Sequence, residues 1–262
     1  MVEDYFLDFE IRTAQFLGQP NVANRIIDAL SKLPKKYSPT KCVGSDYKKK
    51  PFSLNDPDNF IAMVPGEYAY EGHVSLYKAN NIFELTVFWA KGDVEWFNSS
   101  PAKRFNSIVI SISNAEKVLS NKDDFSLIKM IWLELCDKFS AAFAYCSLDQ
   151  HIGTRPRGEG FCLPRLHWLS YFGNGYTQEF NLKEREKLNG ANLEIRDNDT
   201  SLISIDSSPF DLTDPCDDEW NVIEQLGVEY FWGYIKDDWR KPKGKYKMPD
   251  FNWDTVLIKN KT

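Results

Sequence analysis

The sequence comprises 262 residues, which is long enough for one large domain or two small ones. Hydrophobic residues make up 42% of it and charged residues 27%, the balance of a soluble globular protein, and no stretch approaches the roughly 18 apolar residues of a membrane-spanning helix. The net charge of −6 argues against general binding to nucleic acids or to anionic membranes.

The N-terminal residues and the cysteines predict a cytoplasmic location. Glu3 and Asp4 stand where a signal peptide would carry a basic and then an apolar segment. The five cysteines are odd in number and form no C-x-x-C pair, a pattern that indicates free thiols in a reducing compartment.

The first elements are predicted from apolar periodicity. Alternation over Tyr5–Ile11 predicts a half-buried strand, and helical spacing predicts a helix that begins at Pro20 and is stopped by Pro34. The lysine-rich stretch Lys32–Lys50 is predicted as an exposed loop, and Phe60–Val64 as a short strand.

A hairpin and a long helix are predicted next. His73–Ala79 and Ile82–Ala90 flank Asn80-Asn81, a pair that favours a two-residue turn, and Ser107–Ile112 alternates as a further strand. Asp123 or Asp124 is the candidate cap of a long helix, which we expect deep in the core because its second half is apolar nearly all round. Phe143–Leu148 is predicted as the strand that follows.

The C-terminal part repeats this mixture of strands and helices. Asn181–Leu188 is predicted as a short helix, Leu193–Arg196 and Leu202–Ile205 as a second hairpin, and Glu219–Trp232 as a helix. The regular aromatic residues from Lys236 to Thr262 predict a tail packed on the body of the protein.

Phe161–Tyr176 is the densest aromatic segment of the chain. Pro164 favours an extended entry, and Gly173 and Gly175 would allow a tight turn at its end. The segment is interpreted either as a core element or as one that positions a recognition surface.

The order of elements predicts an α+β fold in one domain covering residues 1–262, with antiparallel sheets and packed helices. A division near residue 150 into two similar strand-plus-helix halves stays open.

The residues predict no catalytic site, no metal site and no cofactor. The sequence has no G-x-S-x-G, H-E-x-x-H, P-loop or G-x-G-x-x-G motif. Its three histidines are far apart, and Cys162 and His167 would point to opposite faces of an extended segment. No two ligand-type residues have the short spacing of a zinc site.

An acidic stretch runs from Glu194 to Glu219, where nine acidic residues face one basic residue, Arg196, for a local charge of −8. Acidic turns and the first turn of a helix explain it in structural terms. Alternatively it is a surface for a basic partner, such as the phosphate-gripping face of a nuclease. The candidate contact residues are Asp214, Asp217, Asp218, Glu219 and Trp220, with Tyr230 and Trp232 as further aromatic anchors.

Leu163-Pro164-Arg165 followed by Trp168-Leu169-Ser170-Tyr171-Phe172-Gly173 resembles the central motif of bacterial immunity proteins from polymorphic-toxin and type VI secretion systems. The segment is most similar to the immunity protein 52 family, and the related type VI immunity family shares the Trp-Leu-x-x-x-Gly core. The similarity covers roughly residues 150 to 176.

This resemblance implies a non-enzymatic cytoplasmic protein that binds and neutralises one cognate toxin, here a DNase of restriction-endonuclease fold. It supplies no catalytic residue. Arg165, Trp168 and Gly173 match the motif and are expected to maintain the fold. The alternatives are a hydrolase with scattered carboxylates and a carbohydrate- or peptide-binding module.

Overall fold

One antiparallel sheet unites the part of the chain that the structure, a computed structural model, describes: residues 5–64, 70–93, 105–148, 163, 165–210, 216–231 and 247–258. Its strands are β1 (Leu7–Thr13), β2 (Lys41–Gly44), β3 (Lys49–Pro51), β4 (Glu71–Tyr77), β5 (Phe83–Ala90), β6 (Asn106–Ile112), β7 (Ala141–Leu148), β8 (Leu169–Phe172), β9 (Ala191–Ile195) and β10 (Ser201–Ile205).

The spatial order of the ten strands is β3-β2-β4-β5-β6-β1-β7-β8-β10-β9, and each neighbouring pair is antiparallel. Together with the helices, this sheet confirms the predicted α+β class. The α-helices in the described residues are α1 (Pro20–Leu30), α2 (Asp58–Ile61), α3 (Ala115–Ser120), α4 (Lys122–Lys138), α5 (Asn174–Glu179) and α6 (Asp217–Leu226).

The first face of the sheet carries the larger core. Leu7, Phe9 and Ile11 of β1 alternate onto this face and are fully buried. Helix α4 packs on β1 and β7, and α1 packs on α4. Trp132 of α4 is fully buried, with its ring centroid 5.5 Å from that of Phe9. The periodicity of the sequence therefore predicted this core correctly.

On the second face, the helices of the described part of the chain lie beyond β1, where α5 packs on β7 and β8, and α6 contacts β9. Strand β7 serves both cores: Ala144 belongs to the first, and Phe143 and Tyr145 to the second. The two parts of the chain on either side of residue 150 thus share one sheet, with helices on opposite faces.

Two short segments differ from their predicted structure. The lysine-rich stretch contains β2 and β3 at one edge of the sheet, where lysines suit an edge strand because their charge opposes pairing with other molecules. The predicted strand at Phe60–Val64 does not form, because Phe60 lies in helix α2. Its side chain is buried, and its ring centroid is 5.9 Å from that of Phe52. Short apolar runs do not distinguish strands from helices.

The hairpins and the long helix form as predicted, with local corrections. Asn121 caps α4 by accepting a hydrogen bond from the Asp124 amide, so neither Asp123 nor Asp124 is the cap. The first half of α4 is exposed on one side, with the Met130 side chain 44% exposed, whereas the second half, which was expected deep in the core, has no exposed residue and is mostly buried. The predicted two-residue turn between β4 and β5 is wrong, because a short 3-10 helix at Ala79–Asn81 connects the strands; Asn80 supplies its left-handed residue with φ of 62°.

In the C-terminal part, the predicted helix after Asn181 shortens to a single turn of 3-10 helix at Leu182–Glu184. Helix α6 ends at Leu226, because Gly227 with φ of 111° breaks it, and Trp232 lies outside the described residues. Phe251 of the tail packs on Tyr176, as the prediction of a packed tail requires. None of the helices in the described ranges has the length and hydropathy needed to cross a lipid bilayer.

Candidate functional site

The predicted acidic contact surface at the start of α6 is only partly exposed. Asp217 is exposed, and the half-buried Asp218 accepts a 2.7 Å hydrogen bond from the Ser207 hydroxyl. Glu219 and Trp220 are buried, at 1% and 8% exposure. Asp214 lies outside the described residues. Partner contact through this surface stays a prediction. Because Glu219 and Trp220 are buried, their side chains are not accessible to a partner in this structure.

Glu219 faces inward because it pairs with Arg165. The guanidinium donates two hydrogen bonds to the carboxylate, at 2.9 Å from Nε and 2.6 Å from Nη2, and the two residues are each 1% exposed. Such a bidentate pair fixes both position and orientation. It attaches the segment before β8 to the first turn of α6.

Gly173 is required by close backbone packing rather than by a turn. Its φ of −65° is ordinary, and it precedes α5 directly, so the predicted tight turn is absent. A Cβ atom at this position would lie 2.1 Å from the carbonyl oxygen of Ala141 in β7. Trp168, the other motif residue, is half-buried with its ring 5.3 Å from that of Phe125.

A groove of about 740 Å³ lies on the second face of the sheet, over β4, β5, β6 and β1. Sequence reasoning did not identify it. Because side chains alternate along a strand, the residues opposite the first core line its floor in rows across the sheet. The rows of lining residues are Glu84-Ser111-Asp8, Thr86-Val109-Glu10 and His73-Phe88-Ser107-Arg12.

The β1 side of the groove holds a buried polar network. Glu10, 8% exposed, pairs with Arg12 and accepts a hydrogen bond from the Tyr145 hydroxyl. Burial disfavours the charge on Arg12, but the charge of Glu10 and its hydrogen bond raise the Arg12 pKa overall. The Tyr145 ring in turn stacks on His167, with 3.9 Å between ring centroids. This part of the floor is therefore held in place by its neighbours.

The β4–β5 side of the groove is exposed and aromatic. The Phe88 side chain is 45% exposed, and its ring lies 5.9 Å from that of His73. Tyr47 extends the row at 5.8 Å from His73 and is 77% exposed. The carboxylates of Glu71 and Glu84 are on the same side and exposed. Exposed aromatic rings are enriched at protein interfaces.

The acidic character of the groove follows from its lining. Among the described residues that line it, four carry carboxylates, namely Asp8, Glu10, Glu71 and Glu84, and one, Arg12, carries a guanidinium. The indole of Trp89, the neighbour of Phe88 in β5, alternates to the opposite face and packs in the first core. The described lining of the groove thus offers negative charge and aromatic surface.

A second cavity, of about 390 Å³, lies by the β9–β10 hairpin and includes part of the predicted acidic stretch. Its central carboxylate, Asp137, already accepts hydrogen bonds from Arg196 at 2.6 Å, Asn198 at 2.7 Å and Tyr171 at 3.1 Å. Burial and the nearby acidic groups raise the pKa of Tyr171. The cluster therefore ties α4 to the hairpin and β8.

The remaining candidate groups are placed as follows. His167 is 2% exposed, while Cys162, its predicted weak partner, lies outside the described residues. Burial raises the pKa of the Cys136 and Cys146 thiols well above its ordinary value, which opposes thiolate chemistry. Within the described ranges no three His, Cys, Asp or Glu side chains cluster in a way that would hold a metal ion.

No protein-family model matches the chain, and no curated protein matches it. The resemblance to the immunity protein 52 family therefore stays a hypothesis. Among solved structures, the chain is similar to "Pseudomonas aeruginosa T6SS protein PA0821", with a TM-score of 0.56 and 10% sequence identity. The similarity covers 98% of this chain and 82% of that chain. At this identity it shows a shared fold.

Proposed function

We propose that this chain is a cytoplasmic immunity protein of a type VI secretion system, which neutralises one cognate toxin by covering its working surface. The observation that carries the proposal is the acidic groove of about 740 Å³ on the second face of the sheet. Two further observations support it: the fold shared with a protein named as a T6SS protein, and the motif from Trp168 to Gly173.

The charge of the groove supports a nuclease as the toxin. An enzyme that cleaves nucleic acid needs a basic surface to bind phosphates, and an acidic protein surface is complementary to it. Complementary charge also accelerates association, which favours an inhibitor that must act before the toxin does. In this proposal the chain itself has no substrate and needs no cofactor.

Co-expression with the protein encoded by the neighbouring toxin gene tests the proposal. We expect the toxin to kill a bacterial host, the chain to restore growth, and the two proteins to co-purify when an inactivated toxin is used. An unrelated nuclease serves as the control and should still kill. Loss of growth despite the chain, or catalytic turnover by the chain alone, would sink the proposal.

A further inference from the structure

We infer that the groove on the second face is the docking surface, and that it receives a cationic segment of the partner with two Arg or Lys side chains at its ends. This inference rests on the proposed function, because the partner is taken to be a protein toxin. It names the surface and the chemistry of what occupies it, in place of the acidic start of α6.

The positions of the two exposed carboxylates set the length of the segment. Glu71 lies opposite Ala90 in the β4–β5 pair, whereas Glu84 lies opposite Tyr77. The two carboxylates are therefore six residues apart along the strand direction, which corresponds to about 20 Å. An extended segment with cationic side chains at positions one and seven has this spacing.

The aromatic row supplies a contact between those ends. Phe88 is the most exposed large hydrophobic side chain of the groove floor, at 45%, and it stands beside His73. A guanidinium or an apolar side chain stacked on this ring would bury surface that water covers in the free protein. A single exposed ring of this kind is a typical anchor at a protein interface.

The primary experiment compares two surfaces in binding to the inactivated product of the neighbouring toxin gene. The groove variants are Glu71→Lys combined with Glu84→Lys, and Phe88→Ala; the matched control is Asp217→Lys combined with Asp218→Lys. We expect the double groove variant to weaken binding about 100-fold at low salt and less at high salt, because screening reduces the repulsion. Phe88→Ala should weaken it about tenfold. All four acidic positions are exposed or half-buried, and thermal unfolding checks that each variant folds.

The outcomes separate the two proposals. If the toxin binds the unmodified chain and only the control variant loses affinity, the interface lies at α6 and the groove assignment is overturned. If neither pair of substitutions changes binding, the partner docks elsewhere and the assignment is also overturned. If the toxin does not bind at all, the proposed function fails.

A second probe tests the groove without the toxin. The peptide Arg-Ser-Leu-Ser-Leu-Ser-Arg carries cationic groups six residues apart, and a peptide with Glu at both ends is its control. We expect NMR amide shifts of β4 and β5 to change with the arginine peptide and not with the glutamate peptide. Unchanged shifts in both titrations would reject a cation-binding groove, whatever the toxin does.

Discussion

Glu219 is buried although it belongs to an acidic stretch of the sequence, because its carboxylate pairs with Arg165. Glu219 ends a run of acidic residues, yet it is 1% exposed and receives both hydrogen bonds of a guanidinium. A buried carboxylate needs such a partner because burial of an unpaired charge is costly. The pair therefore has a structural role, which agrees with what the motif resemblance implies for Arg165.

Replacing one partner of this pair should destabilise the protein more than replacing both. Arg165→Met leaves the Glu219 carboxylate buried without its guanidinium, and we expect the free energy of unfolding to fall by about 3–5 kcal/mol. Arg165→Met combined with Glu219→Leu should recover part of that loss. Urea unfolding measures both variants. A single variant as stable as the unmodified protein would show that the pair contributes nothing.

At the scale of elements, α1 and α4 are joined by ion pairs across their exposed edges. Lys138 pairs with Asp28 of α1 and lies 3.2 Å from Glu134, which also receives Lys32 at 2.6 Å. The hydrogen bond from Lys138 lowers the pKa of Asp28. Burial opposes the charge on Glu134, but hydrogen bonds from Lys32 and Lys138 lower its pKa overall. Both carboxyl groups are thus more acidic in the folded protein.

Lowered pKa values mean that these carboxylates stabilise the fold at neutral pH and lose that effect in acid. We expect Asp28→Asn combined with Glu134→Gln to reduce the urea midpoint slightly at pH 7. The difference from the unmodified protein should shrink as the pH falls below about 4. Glu116→Gln, on α3, is the control because that carboxylate forms no ion pair with the described residues. A difference that grows in acid would contradict the assigned direction of the pKa shifts.

At the scale of the whole molecule, strand β7 connects two cores that lie on opposite faces of one sheet. Trp132 belongs to the first core and Trp220 to the second. Because the same strand carries Ala144 on one side and Tyr145 on the other, loosening either core disturbs the support of the other. The arrangement favours cooperative folding over two independent halves.

We therefore predict a single unfolding transition in urea. For the unmodified protein, far-UV circular dichroism and tryptophan fluorescence should give the same urea midpoint. For each of the variants Trp132→Phe and Trp220→Phe, the two methods should likewise agree with each other, even where the substitution shifts the midpoint. These variants remove one reporter from each core in turn. Two separate midpoints would instead support a division of the chain near residue 150.

The local pattern of the sequence determined much of this architecture. Alternating apolar residues predicted β1 and the β4–β5 hairpin, and helical spacing predicted α1 and α4, because each pattern reports which side chains share one face of one element. The same pattern carried the signal for the groove, since Asp8, Glu10 and Arg12 alternate with the core residues of β1. What one strand cannot report is which other strands lie beside it.

Only the tertiary structure decided that Glu71, Glu84 and Glu10 line one groove, and that Glu219 points inward to Arg165. The carboxylates of the groove come from β4, β5 and β1. Strand β1 lies between β6 and β7, which are about 100 and about 135 residues further along the chain. Strand order and register depend on such long-range hydrogen bonds and on the burial of both cores together, neither of which local periodicity contains.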